Sequence, residues 1–142
     1  MSFRLLLDLE KDYSQDNHII YYRRGAASSL LKDEYSVELQ NLMDFFDRMS
    51  EMVERGALDK NMAYNSFAGR LTRYRTAARP VIEKERIEHD SPFLWEDTEK
   101  VYNHFLKMRA ERWGRADADV SPTPEQIERF LQSEASLPTT FD

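Results

Sequence analysis

Ser36-Val-Glu-Leu39-Gln-Asn-Leu42-Met43-Asp44-Phe45-Phe46-Asp47-Arg-Met49-Ser-Glu51-Met52-Val53-Glu54-Arg-Gly56 is the stretch that decides the fold. Leu39, Leu42, Met43, Phe46, Met49 and Val53 follow one another at steps of 3, 1, 3, 3 and 4 residues, the spacing of one face of an α-helix. Ser36 stands where an N-cap hydroxyl is wanted, and Gly56 where a left-handed residue closes a helix. The flanking sequence repeats this grammar. Ile19, Ile20, Tyr22, Ala26, Ala27, Leu30 and Leu31 predict a helix from about Asp16 to Leu31, with a break allowed at Gly25.

After Asp59, a second N-cap candidate, Tyr64, Phe67, Ala68, Leu71, Tyr74 and Ala78 share a face. Pro80 is expected to end or kink that helix, leaving Val81–Glu88 as a short charged continuation. Leu94, Thr98, Val101, Tyr102, Phe105 and Met108 predict a further helix, up to about Arg112. Arg115–Pro122 reads as a linker. Thr123-Pro124-Glu125-Gln126 then opens a short helix with Pro at the first helical position and a Thr/Gln capping box. That helix offers only Ile127, Phe130 and Leu131 for burial, and helices this short are marginal alone, so it should dock on the bundle or on a partner. No stretch alternates with period two. The expected fold is all-α: a compact bundle of four to five helices over residues 1–114, then residues 115–142 as linker, short capped helix and tail.

At 142 residues the chain fits one domain, and its 41% hydrophobic content supports a core. Without cysteine there is no disulfide framework, thiolate metal site or Cys nucleophile. The four glycines form no phosphate-binding loop. The apolar run at Leu5–Leu7 is cut by Asp8 and is too short for a signal peptide or a membrane span, so the expected location is cytoplasmic.

Phe45-Phe46, Glu54-Arg55-Gly56-Ala-Leu58-Asp59, Phe67-Ala-Gly69-Arg70, Arg73-Tyr74, Arg79-Pro80-Val-Ile82-Glu83 and Leu94-Trp95 follow a recognisable order. Over about Leu42 to Trp95 the chain resembles a bacterial family of small helical proteins classed as a domain of unknown function. The resemblance implies an all-α fold and supplies no activity, cofactor or catalytic residue. Some relatives look tethered to a membrane by an N-terminal helix, a pattern from which this chain departs.

Two charged constellations remain. Asp44, Asp47, Glu51 and Glu54 step by 3, 4 and 3 and form a narrow stripe opposite the apolar face. They are either a solvated surface or an acidic strip for a basic partner, on which like-charge repulsion of ~0.2–0.5 kcal/mol per neighbouring pair would be relieved. Phe45 and Met52 flank the apolar arc and suit either a second internal neighbour or a partner helix. The next helix carries Arg70, Arg73, Arg75 and Arg79. Arg75 falls at the edge of the apolar face, between Tyr64 and Ala68, and calls for an internal ion pair with an acid of another helix. Arg70, Arg73 and Tyr74 offer an alternative anion site.

Nucleic acid is a poor match for a chain of net charge −6, although residues 69–88 hold six Lys/Arg against three Asp/Glu. His18, His89 and His104 are scattered. Glu85 and His89 share a helix face, a pair that more often makes a surface contact than a metal site.

These features predict a non-catalytic module that binds another protein, an adaptor or an immunity-type inhibitor of a basic partner. No cofactor, metal or catalytic residue is expected, and no membrane. The alternatives are an anion- or nucleotide-binding sensor or enzyme built on Arg70, Arg73 and Tyr74, and a structural homodimer.

Overall fold

In a computed structural model, which describes residues 3–114 and 121–138, every regular element is a helix. These are α1 (Phe3–Gln15), α2 (Asn17–Leu30), α3 (Val37–Glu54), α4 (Lys60–Glu88), α5 (Glu96–Trp113) and α6 (Pro124–Ala135). The fold is all-α, with one helix more than the sequence pattern predicts. The addition is α1, whose Leu6 and Tyr13 are buried and whose Leu9 is half-buried, a 3–4 spacing hidden in a segment that looks like a failed targeting signal.

The capping residues act as their chemistry requires. The Ser36 hydroxyl accepts from Leu39 N at 3.0 Å, and an Asp59 carboxylate oxygen accepts from Met62 N at 3.0 Å. Thr123 and Gln126 form a reciprocal capping box. Gly56 takes φ +78°, closing α3.

Two expected interruptions are absent. α2 runs unbroken through Gly25, because the glycine admits the side chain of Glu38 on α3: a Cβ there would lie 2.5 Å from Glu38 Cγ. α4 runs unbroken through Pro80, which is exposed, while Val81 and Ile82 beyond it are buried and hold the continuation down. Since Pro80 has no N–H, the Thr76 carbonyl lacks its donor four residues on.

The core runs through all six helices. Leu39, Leu42, Met43, Phe46 and Met49 of α3 meet Ala26, Ala27 and Leu30 of α2, Phe67, Leu71 and Tyr74 of α4, and Val101 and Phe105 of α5. Each buried aliphatic or aromatic side chain contributes about 1.5–3 kcal/mol. α6 lies on α2 and α4. The expected linker at Arg115–Pro122 falls, except for Ser121 and Pro122, outside the described residues, as do the last four residues of the tail.

Candidate functional site

Half of the acidic stripe of α3 is taken up inside the molecule: Asp44 and Asp47 serve α5, while Glu51 and Glu54 stay at the surface. Asp47 Oδ1 accepts from both the backbone N (3.0 Å) and the hydroxyl (2.9 Å) of Thr98, in the first turn of α5. The residue preceding α5, Trp95, has φ +54° and offers no side-chain cap, so Asp47 caps α5 from another helix. Asp44 Oδ1 accepts from Trp95 Nε1 at 2.9 Å. Glu51 pairs with Arg55 (2.7 Å), and Glu54 Oε1 lies 3.6 Å from His104 Nε2. Phe45 is buried, its ring 6.0 Å from that of Tyr13, and Met52 is half-buried against the core, so neither projects as an anchor for a partner.

The arginine cluster is also divided. Arg75 is buried and its Nη2 meets Glu99 Oε1 at 2.8 Å, with Arg86 Nη1 3.4 Å from the same oxygen. Burial pushes the Arg75 guanidinium below its usual range, and Glu99 opposes that shift. Arg70 lies over the rings of Tyr13 (4.9 Å) and Phe67 (5.6 Å), and Arg73 over Phe130 of α6 (5.7 Å). Tyr74 is fully buried. Tyr74 is turned inward, so the three do not converge on one outward site; Arg73 lines an open cleft of about 410 Å³ with Gln126, Arg129, Phe130 and Ser133 of α6.

Instead, the anion beside them is internal. Glu134 of α6 is buried and receives Arg23 Nε (2.8 Å) and Nη2 (2.7 Å) on its two oxygens, a two-pronged pair. The Tyr74 hydroxyl donates to Glu134 Oε1 at 2.8 Å, with the Arg23 carbonyl 3.1 Å away, and the Tyr13 hydroxyl makes a long 3.5 Å contact to the same Oε1. Arg23 Nη1 donates to the Tyr13 carbonyl at 3.0 Å. Burial is the largest single influence and costs the Arg23 charge, yet the Glu134 hydrogen bond and the fields of Tyr13, Glu134 and Tyr74 together outweigh that cost and raise its pKa. Burial likewise holds both phenols well above the usual tyrosine range, against Arg23 and with Glu134. Sequence reasoning missed this knot. The signal was present: Glu134 follows Ile127 and Leu131 by helical steps, and Arg23 sits among Ile19, Ala26 and Ala27.

Two adjoining clefts lie elsewhere on the surface. A cleft of about 450 Å³ opens between the end of α2, the middle of α4 and the start of α6, lined by Leu30, Ala77, Pro80, Pro124, Ile127 and Leu131 among others. A second cleft of about 420 Å³, between the α2–α3 turn and the end of α4, adjoins it through the shared residues Asp33 and Pro80. Asp33 adopts φ +53° in that turn. The carboxylates lining the two clefts are Asp33, Glu34, Glu85, Glu88 and Glu128, against one cation, Lys84. Burial and the nearby Glu85 and Asp44 raise the pKa of Tyr35, also in the second cleft. At the rim, Glu85, Glu88 and His89 bring ligand-type atoms within 4.8 Å of one another, but His89 Nε2 already meets Glu85 Oε2 at 3.2 Å and Lys84 reaches Glu88 at 3.9 Å.

The sequence model of a family described as a domain of unknown function, DUF4760, matches residues 6–105. The chain belongs to the DUF4760 family. No curated protein and no solved structure matches it. The DUF4760 span takes in Tyr13, Arg23 and Tyr74 and most of both clefts, and it ends before α6, which supplies Glu134. Among the described residues no helix is long and apolar enough to cross a membrane.

Proposed function

We propose that this protein is a non-catalytic interaction module whose paired clefts take a basic segment of another protein, as an adaptor or inhibitor would. The observation that carries this reading is the pair of adjoining clefts that share Asp33 and Pro80, with five carboxylates against Lys84 beside an aliphatic lining. Lys and Arg match such a surface, since their stems lie along Leu30, Ala77, Pro80 and Val81 while their heads reach carboxylates.

A further point supports a basic partner. The net charge of −6 steers a cationic partner toward the molecule. The basic-partner reading thus moves from the α3 stripe, whose Asp44 and Asp47 serve α5, to the paired clefts.

The test is calorimetric titration of a Lys/Arg-rich peptide against the protein and against the neutralised variant D33N/E34Q/E85Q/E88Q. Binding that weakens at least tenfold in the variant and falls steeply with salt supports the clefts. Equal binding by both proteins refutes it.

A further inference from the structure

α6 turns two faces to two different clefts. Ile127, Glu128 and Leu131 line the larger acidic cleft. Gln126, Arg129, Phe130 and Ser133, at steps of 3, 1 and 3, form the opposite face and line an open cleft of about 410 Å³ with Arg73 of α4. No carboxylate lines this cationic cleft. Of the acids on α6, Glu128 belongs to the acidic side, and Glu134 is enclosed by Arg23 and Tyr74.

Two arginines without an acid stand out in a chain of net charge −6. Among the described residues, neither Arg73 nor Arg129 makes an ion pair or a hydrogen bond. Arg73 is half-buried with its Cζ 5.7 Å from the centre of the Phe130 ring, and Phe130 is itself held edge-on to Tyr74 at 5.0 Å. A ring orients a guanidinium without supplying an acceptor, so the N–H fork of Arg73 stays available. A third arginine shares this field. Burial pushes the Arg109 guanidinium below its usual range, and nearby Arg73 adds to that push against Tyr64. The Arg109 Nε is buried and has no hydrogen-bond partner. An anion beside Arg73 relieves this repulsion.

We propose that the cationic cleft binds a phosphate monoester, with Arg73 and Arg129 taking the phosphoryl oxygens. Such a group carries about −1.5 to −2 charges near neutral pH and three acceptor oxygens, which two guanidinium forks match. A carboxylate brings one charge and leaves one arginine unanswered. Gln126 Oε1 accepts from Thr123 N at 2.9 Å, so its amide NH2 remains to donate, and the exposed Ser133 hydroxyl adds another donor. The volume admits a phosphoryl group with a small organic remainder. The site goes beyond the basic-partner reading and survives if the acidic clefts take no basic segment.

Calorimetric titration of the full chain tests it, in low-salt buffer free of phosphate and sulfate, with phenyl phosphate, inorganic phosphate and acetate as probes. Arg129 is exposed and makes no contact that Gln would break, so Arg129→Gln should keep the helical circular dichroism and the melt of the wild type. Saturable binding of both phosphates is expected, with acetate weaker by about tenfold or more. R129Q should weaken phenyl phosphate by a similar factor, and Arg129→Lys, which keeps the charge and loses the fork, should weaken it less. The variant D33N/E34Q/E85Q/E88Q should bind phenyl phosphate as the wild type does, which separates this site from the acidic clefts. Absence of saturable binding by either phosphate at millimolar concentration overturns the proposal. So does a folded R129Q that binds as tightly as the wild type, or acetate that binds as tightly as phosphate.

Discussion

Glu134→Ala is the substitution with the largest calculable local consequence. It removes the carboxylate that takes two Arg23 N–H groups and the Tyr74 hydroxyl, leaving a guanidinium whose side chain is 13% exposed facing two phenols. Stripping one partner from a buried ion pair costs about 3–5 kcal/mol. Tyr74 can turn to the Arg23 carbonyl at 3.1 Å, and Arg23 keeps its bond to the Tyr13 carbonyl, so the lower end of about 3 kcal/mol applies. Leu131 and Glu134 are the buried residues of α6, so the loss falls on the docking of this helix and spares the core of α1–α5. At 1.4 kcal/mol per decade, amide exchange within 124–135 should quicken by roughly two orders of magnitude while the slowest amides of α3 and α4 change little. Glu134→Gln keeps one acceptor and loses the charge, so its effect should be smaller, about 1.5–3 kcal/mol. Hydrogen exchange read residue by residue gives the answer. If α6 amides in the alanine variant exchange within threefold of wild type, the clamp does not hold the helix and the reasoning fails.

Other consequences are sharp enough to measure. Because folded Tyr13 and Tyr74 hold their protons above the unfolded value of ~10, their contribution is complete below pH 10 and is lost as pH rises beyond it, by about 1.4 kcal/mol per pH unit for each phenol. Urea midpoints should therefore be flat toward pH 9 and fall above 10, and a midpoint that rises there contradicts the burial of these hydroxyls. Asp47→Ala should cost about 1–2 kcal/mol, because α5 loses a cap that accepts two bonds, and it should fray the first turn of α5; Asp47→Asn should recover part of that loss. Gly25→Ala should destabilise by about 1–3 kcal/mol despite alanine's better helix propensity, since the new methyl meets Glu38 Cβ at 2.7 Å, and a gain in thermal stability would show that α2 and α3 are further apart.

What the sequence made legible was local. The 3–4 spacing of Leu39 to Val53, the caps Ser36, Asp59 and Thr123, and the closing Gly56 are all properties of neighbours along the chain, and each is found in place. The misreadings came where a distant element overrides a local rule. Gly25 suggested a break until Glu38 is seen against it, and Pro80 suggested an end until Val81 and Ile82 are seen buried beyond it. A helical wheel places Asp44 and Asp47 on a polar stripe, yet it carries no knowledge that α5 begins beside them. Arg23 and Glu134 are 111 positions apart, and no spacing within one sequence links them. A charge on an apolar face, the feature that singles out Arg75, marks both Arg23 and Glu134 equally and is the available clue. The pair of acidic clefts is the least legible feature, because it is assembled from a turn, a mid-helix proline and the start of α6.

Chemical-shift mapping of a bound Lys/Arg-rich peptide on the isotope-labelled protein addresses the central claim about function most directly. Perturbations gathered on Asp33, Glu34, Thr76, Ala77, Lys84 and Glu85 are the result this account predicts. Perturbations confined to the Glu51–Glu54 end of α3, or spread evenly over the surface, would contradict it.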